Sequence, residues 1–222
     1  MVMYIPRQER KIFVERIVFD LGEDMKRSIR EICYLFRCLL YTKCSFPSAR
    51  LFRLPMDIRG KSGIDFGQRL TTGYGCRLES FSENGAKSLF FGDDVQINDY
   101  VHISALKSVH IGNHVLIASK VFITDLAHGS YNGDENDSPP DSVAKKRLLS
   151  AKPVYIENNV WIGELCSILP GVTIGENSII GANSVVTKSI PENCIAVGNP
   201  ARVIKRYNAK TMLWEKVKEQ NF

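Results

Sequence analysis

No run of apolar residues in this chain is long enough to span a bilayer, and Met1-Val2-Met3-Tyr4-Ile5-Pro6-Arg7 lacks the apolar core of a secretory signal. A cytoplasmic protein is therefore expected, with the inner face of the membrane as the variant that a basic N-terminal segment would favour. Cysteine is sparse, and Cys33, Cys38, Cys44, Cys76, Cys166 and Cys194 show no C-x-x-C spacing. That argues against a disulfide framework or zinc finger and predicts reduced thiols, with Cys76 and Cys166 in the core. Neither a Walker loop nor G-x-G-x-x-G is present, so direct use of ATP or NAD is not indicated. No nucleic-acid motif accompanies the modest net charge of +5, and nucleic acid is not an expected partner. The charge suits an anionic ligand such as a nucleotide phosphate, a polyanionic glycan or a membrane surface. Of the four histidines, His110 and His114 straddle a corner and read, with His102, as solvent-facing; no metal site is expected.

What is present is a repeat. Ile156, Ile162, Ile168, Ile174, Ile180 and Val186 stand six residues apart, and the positions four further on (Val160, Cys166, Val172, Ser178, Ser184, Ile190) are all small or β-branched. Neither a helical period nor one continuous strand makes every sixth residue the apolar one. A short strand followed by a fixed corner does. Gly163, Gly175 and Gly181, directly after the repeat isoleucines, and the nearby asparagines supply residues for tight or positive-φ corners. The expected fold class is an all-β solenoid whose isoleucines stack as internal ladders.

Elsewhere the register is weaker. Residues 1–48 are basic and helix-patterned, with Met25, Ile29, Ile32, Phe36, Leu39 and Leu40 at helical spacing. This segment reads as a helical cap on the open coil end, or as a contact for a membrane surface. The repeat domain runs over 49–206. Ile58, Ile64, Leu70 and Cys76 begin it; the register breaks near Glu83-Asn84-Gly85, which reads as a turn, and slips by two residues across Leu106 to Ser108. Residues 129–152, with Asn132-Gly133-Asp134, Pro139-Pro140 and Lys145-Lys146-Arg147, form a loop excursion. Leu213 and Val217, four apart, predict a short C-terminal helix over 207–222.

Asn159-Val160-Trp161-Ile162-Gly163, Leu169-Pro170-Gly171-Val172-Thr173-Ile174-Gly175, Val186-Thr187-Lys188 and Gly198-Asn199-Pro200-Ala201 resemble the hexapeptide-repeat acyltransferases. Within that family the likeness is to the maltose and galactoside O-acetyltransferases and, nearer, to O-acetyltransferases of bacterial surface polysaccharides such as lipopolysaccharide. The resemblance implies a left-handed parallel β-helix, where general crossover rules would favour the right-handed form. It implies a homotrimer with sites between subunits, and acetyl-CoA as co-substrate. His128 stands at the junction of coil and excursion, where the similar enzymes place their general base. An alcohol is a weak nucleophile at neutral pH, and a group with pKa near 7 relieves this by taking its proton as the oxygen attacks. Asn98, thirty residues earlier, matches an asparagine beside that base. For the donor, Trp161 would line the reactive end, Gly163 and Ala182 would let the thin pantetheine arm approach, and Thr187, Lys188, Arg202 and Lys205 would meet the arm and the phosphates. At Leu106 the sequence departs from the galactoside pattern, which has an acidic acceptor ligand there, so a simple galactoside is not the expected acceptor.

The function these features imply is acetyl transfer from acetyl-CoA to a sugar hydroxyl of a surface polysaccharide or its precursor. An N-acyltransferase of an amino sugar or drug, and a non-catalytic trimeric scaffold, stand as alternatives.

Overall fold

The computed structural model describes residues 28–82 and 85–217; the expected turn at Glu83-Asn84, the helical pattern ahead of Ser28 and the last five residues lie outside them. The chain divides after Arg37 into two compact units. In the first, helix α1 (Ile29–Ser45) begins with a reciprocal cap. Ser28 Oγ accepts from Glu31 N at 3.3 Å, and Glu31 Oε2 accepts from Ser28 N at 2.7 Å.

The second unit opens with the end of α1. Cys38 and Thr42 are fully buried, and Thr42 Oγ1 accepts from Phe52 N at 2.8 Å. Phe46 then packs on Phe52 and Phe66, with ring centroids 4.5 and 4.8 Å apart. From here the chain visits three parallel sheets in rotation. The first contains Leu51–Phe52, Thr71–Thr72, Gln96–Ile97, Leu116–Ile117, Trp161–Ile162, Ile179–Ile180 and Cys194–Val197. The second contains Asp57–Arg59, Arg77–Ser80, His102–Ala105, Phe122–Thr124, Ser167–Ile168 and Val185–Val186. The third contains Ile64–Asp65, Leu89–Phe91, Val109–Ile111, Val154–Ile156 and Thr173–Ile174.

Register explains the hexad. Ile97, Ile117, Ile162 and Ile180 are direct partners in the first sheet, and Ile103, Ile123, Ile168 and Val186 in the second. All are at most 1% exposed, and each contributes roughly 1.5–3 kcal/mol of burial. Cys76 and Cys166 are buried as expected.

The expectation for the corners holds for the asparagines and fails for the glycines. Asn159, Asn177 and Asn183 take positive φ of 57–60°, joined by Leu165 at 61° and Gly171 at 82°. Gly163, Gly175 and Gly181, directly after the isoleucines, do not bend this way. Those glycines answer to a close approach between coils. A Cβ on Gly163 would lie 2.6 Å from the backbone N of Ala182, and one on Gly175 2.3 Å from that of Glu192.

The C-terminal helix is corrected to a hairpin over the described residues. Arg202–Asn208 pairs antiparallel with Cys194–Val197, and Leu213–Lys216 folds back on it. The strand Cys194–Val197 would otherwise leave its outer backbone groups unpaired, and added strands satisfy them. Tyr207 and Trp214, directly opposed with ring centroids 5.4 Å apart, fix the pairing. The four-residue spacing of Leu213 and Val217 is outweighed by this edge.

Candidate active site

The excursion is rooted on Asp125, which the sequence reading passed over. Its side chain is fully buried, and its carboxylate accepts from the backbone N–H groups of Leu106 (2.8 Å), Lys107 (2.7 Å) and Ser108 (2.6 Å). Charge-assisted bonds of this kind satisfy an otherwise costly buried anion. They also account for the register slip: Leu106 to Ser108 turn their amides inward onto the next coil's carboxylate. Lys152 N donates to Asp125 O at 2.8 Å, closing the neck where the chain returns.

Beyond the neck, Leu126–His128 and Leu149–Ala151 pair as an antiparallel ribbon in which His128 lies opposite Leu149. The expected loop is thus hydrogen-bonded at its base and knotted at its tip. Arg147 donates from Nε to Ser142 Oγ at 2.8 Å, from Nη2 to Ser142 O at 2.9 Å, and from Nη1 to Tyr131 OH. Tyr131 OH in turn donates to His128 O at 2.6 Å. The backbone of His128 is therefore held from both sides while its side chain is exposed.

The remaining residues fall into two groups. Asn98 follows Gln96–Ile97 at the corner between the first and second sheets, half-buried, with its Oδ1 accepting from Gln96 Nε2 at 3.3 Å. Gly163 and Ala182 occupy the same corner in later coils, and Trp161, 49% exposed, stands on the strand just before it. His128, Thr187 and Lys188 belong to the next corner, between the second and third sheets. One chain does not bring Asn98 and His128 together.

Arg202 and Lys205 lie on the strand added at the first sheet's edge. Three apart, they would normally point to opposite faces, but a register shift between Ile195 and Ala196 intervenes. Arg202 is paired with Val197 and Lys205 with Ile195, two residues apart, so both face one side.

Of the other histidines, His114 is exposed as expected, whereas His110 and His102 are not simply solvent-facing. His110 stacks between Phe90 and Tyr155, with centroids 4.3 and 5.2 Å away, and burial pushes its pKa below the ordinary value despite Glu157. His102 Nε2 lies 2.8 Å from Glu79, a buried carboxylate also held by Arg77 (2.6 Å) and Arg59 (3.1 Å). Burial opposes ionisation of Glu79, but hydrogen bonds from Arg77 and His102 outweigh it and hold the pKa below the usual carboxylate range. Locally only Arg77, two residues back on the same strand, accompanies Glu79; Arg59 and the His102 ring arrive from neighbouring coils. Hollows of about 420 Å³ beside Tyr207 and Lys216, and about 480 Å³ beside Glu157 and Glu192, contain none of the expected site residues.

A coil of hexads defines a class, and comparison with known proteins agrees on the repeat. Residues 153–188 match the family model "Bacterial transferase hexapeptide (six repeats)". The chain is 47% identical over 182 residues to WbbJ of Escherichia coli (strain K12), covering 82% of this chain and 91% of that one. WbbJ is provisionally named a lipopolysaccharide biosynthesis O-acetyl transferase. Against the galactoside O-acetyltransferase of Lactococcus lactis subsp. lactis (strain IL1403), identity is 37%, over 90% of this chain and 87% of the relative. Among solved structures, AntD, an N-acyltransferase from Bacillus cereus with coenzyme A bound, matches with a TM-score of 0.61 at 23% identity. That match covers 78% of this chain and 90% of AntD, and it is a likeness of fold. The chain belongs to the hexapeptide-repeat transferases.

Proposed function

We propose that this protein transfers acetyl from acetyl-CoA to a hydroxyl of a bacterial surface polysaccharide or its precursor. In this reading the coil is the left-handed β-helix of the family. The observation that carries the reading is the arm: an exposed imidazole on a backbone fixed through Asp125, Tyr131 and Arg147, in a chain whose relatives are named O-acetyltransferases. Neutral His128 takes the proton of the sugar hydroxyl as its oxygen attacks the thioester carbonyl. The tetrahedral intermediate then collapses, the C–S bond breaks, and the imidazolium returns the proton to the departing thiolate. No acyl-enzyme forms. Backbone N–H groups stabilise the oxyanion.

Because Asn98 and His128 occupy different corners, a site needing both is built between two copies, and a closed trimer supplies three such sites. The same division supports the donor assignment. Trp161, Gly163 and Ala182 would line the arm from one subunit, Thr187 and Lys188 from its neighbour, and Arg202 with Lys205 would present two cations to the phosphates from one sheet face.

A panel of sugars and oligosaccharides assayed for acetyl-CoA turnover tests this. Turnover that needs a hydroxyl acceptor supports it; turnover confined to amino sugars, or none above the hydrolysis rate with any acceptor, would replace it with one of the alternatives.

A further inference from the structure

Helix α1 is apolar on two sides, and among the described residues only one of them is covered. Cys38 and Thr42 mark the buried side. On the other, Ile29, Ile32, Phe36 and Leu40 follow one another at spacings of three and four and are 80, 56, 61 and 51% exposed. Residues so spaced form a single stripe. Four large apolar side chains in one continuous stripe are more than the scattered exposure of an ordinary surface.

One border of the stripe is basic. At 100° per residue, Arg30 and Arg37 lie along one edge, both exposed, while Lys43 sits at the C-terminal end of the stripe with its ammonium donating to Ala49 O at 2.8 Å. The helix has one acidic residue, Glu31, which sits on the far side with its carboxylate engaged in the N-terminal cap. An apolar stripe, a cationic border and a length of 17 residues describe a helix that lies in the plane of a membrane interface. No helix among the described residues is long and apolar enough to cross a bilayer.

We infer that this face of α1 docks on an anionic lipid bilayer, with Ile29, Ile32, Phe36 and Leu40 in the acyl boundary and Arg30 and Arg37 among the headgroup phosphates. A second copy fits the face less well. Antiparallel two-fold pairing of the stripe would bring the Arg30–Arg37 borders of both copies together, whereas anionic headgroups complement them. The inference does not depend on acetyl transfer, and its test reads no activity.

The test is sedimentation of the full-length protein with vesicles of phosphatidylcholine alone and of phosphatidylcholine containing phosphatidylglycerol, at low and high salt. Binding is expected to the anionic vesicles, weakened by salt. The double substitution Ile32→Ser, Phe36→Ser is expected to lower partitioning by roughly tenfold or more, the scale of losing one to two buried apolar side chains. Its melting temperature should stay within about a degree of the parent's, since exposed positions change stability little. Arg30→Gln, Arg37→Gln should remove most of the preference for anionic lipid and keep the weaker binding. Three results would overturn the inference. These are no sedimentation with either vesicle, a smaller assembly by light scattering in the serine variant, and a lowered melting temperature in that variant. The second would make the face an interface between copies; the third would mean that the chain itself covers it.

Discussion

The late coils and the excursion are neighbours in sequence with opposite logic. In Val154–Ile190 every buried residue is specified by what stands on the adjacent rung, as Ile162 is by Ile117 and Ile180. In 125–152 the decisive contacts are single bonds between unlike groups, the Asp125 carboxylate to three amides and the Arg147 guanidinium to Tyr131 and Ser142. Repetition gives a scaffold that tolerates local change. Single polar anchors give one defined pose to one exposed side chain. The base proposed at His128 would need the second, set on top of the first.

The largest effect should come from the arm and leave the coil untouched. His128→Ala is expected to lose roughly 10² to 10⁴ in kcat, the usual worth of positioned proton transfer, which is about 3–5 kcal/mol of barrier. Its exposed side chain predicts an unchanged melting temperature. Calorimetry and kcat on the same preparation check this; a variant that melts early but turns over normally would make His128 structural.

The mirror experiment strikes the coil. Ile168→Ala removes a fully buried side chain and is expected to cost about 2–5 kcal/mol of stability, read from urea unfolding, with kcat per folded molecule nearly unchanged. Between the two stands Asp125→Asn, which leaves an amide NH₂ facing backbone donors at the neck. A loss of about 1–3 kcal/mol is expected, together with a fall in kcat smaller than that of His128→Ala and little change in the KM for acetyl-CoA. Loss of stability without loss of kcat would show that the neck does not set the pose of His128.

The smallest effect is in pH dependence. Glu79 has a folded pKa below its unfolded value, so the stability it contributes is full above about pH 4.3 and fades as pH falls through the folded pKa. Acid titration of the parent against Glu79→Gln should show a gap in melting temperature at neutral pH that narrows below that value.

The coil was legible in sequence because its physics is periodic: each isoleucine announces the next rung six residues on. The C-terminal hairpin was not, since what decides it is an unpaired edge at Cys194–Val197 that no residue in 207–217 encodes. His128 could be singled out by resemblance to enzymes that place their base at this junction, whereas Asp125, three residues earlier, could not be. Its significance lies in three amides nearly twenty residues away that an ordinary slip in register conceals. The corner glycines were found for the wrong reason, as bends and not as points of close approach. Asn98 and His128 were named together from resemblance, and only the strand order assigns them to different corners.

That separation allows a direct test of the central claim, a site shared between copies. His128→Ala and Asn98→Ala chains, each assayed alone and then co-expressed and purified as mixed assemblies, are the measurement. Each alone should be impaired, His128→Ala the more severely. In mixed assemblies, a boundary joining the His128 of one chain to the Asn98 of the other is wild type, so acetyl transfer should rise well above the average of the two parents. Activity no greater than that average, in assemblies shown to contain both chains, would contradict it and return the site to a single chain.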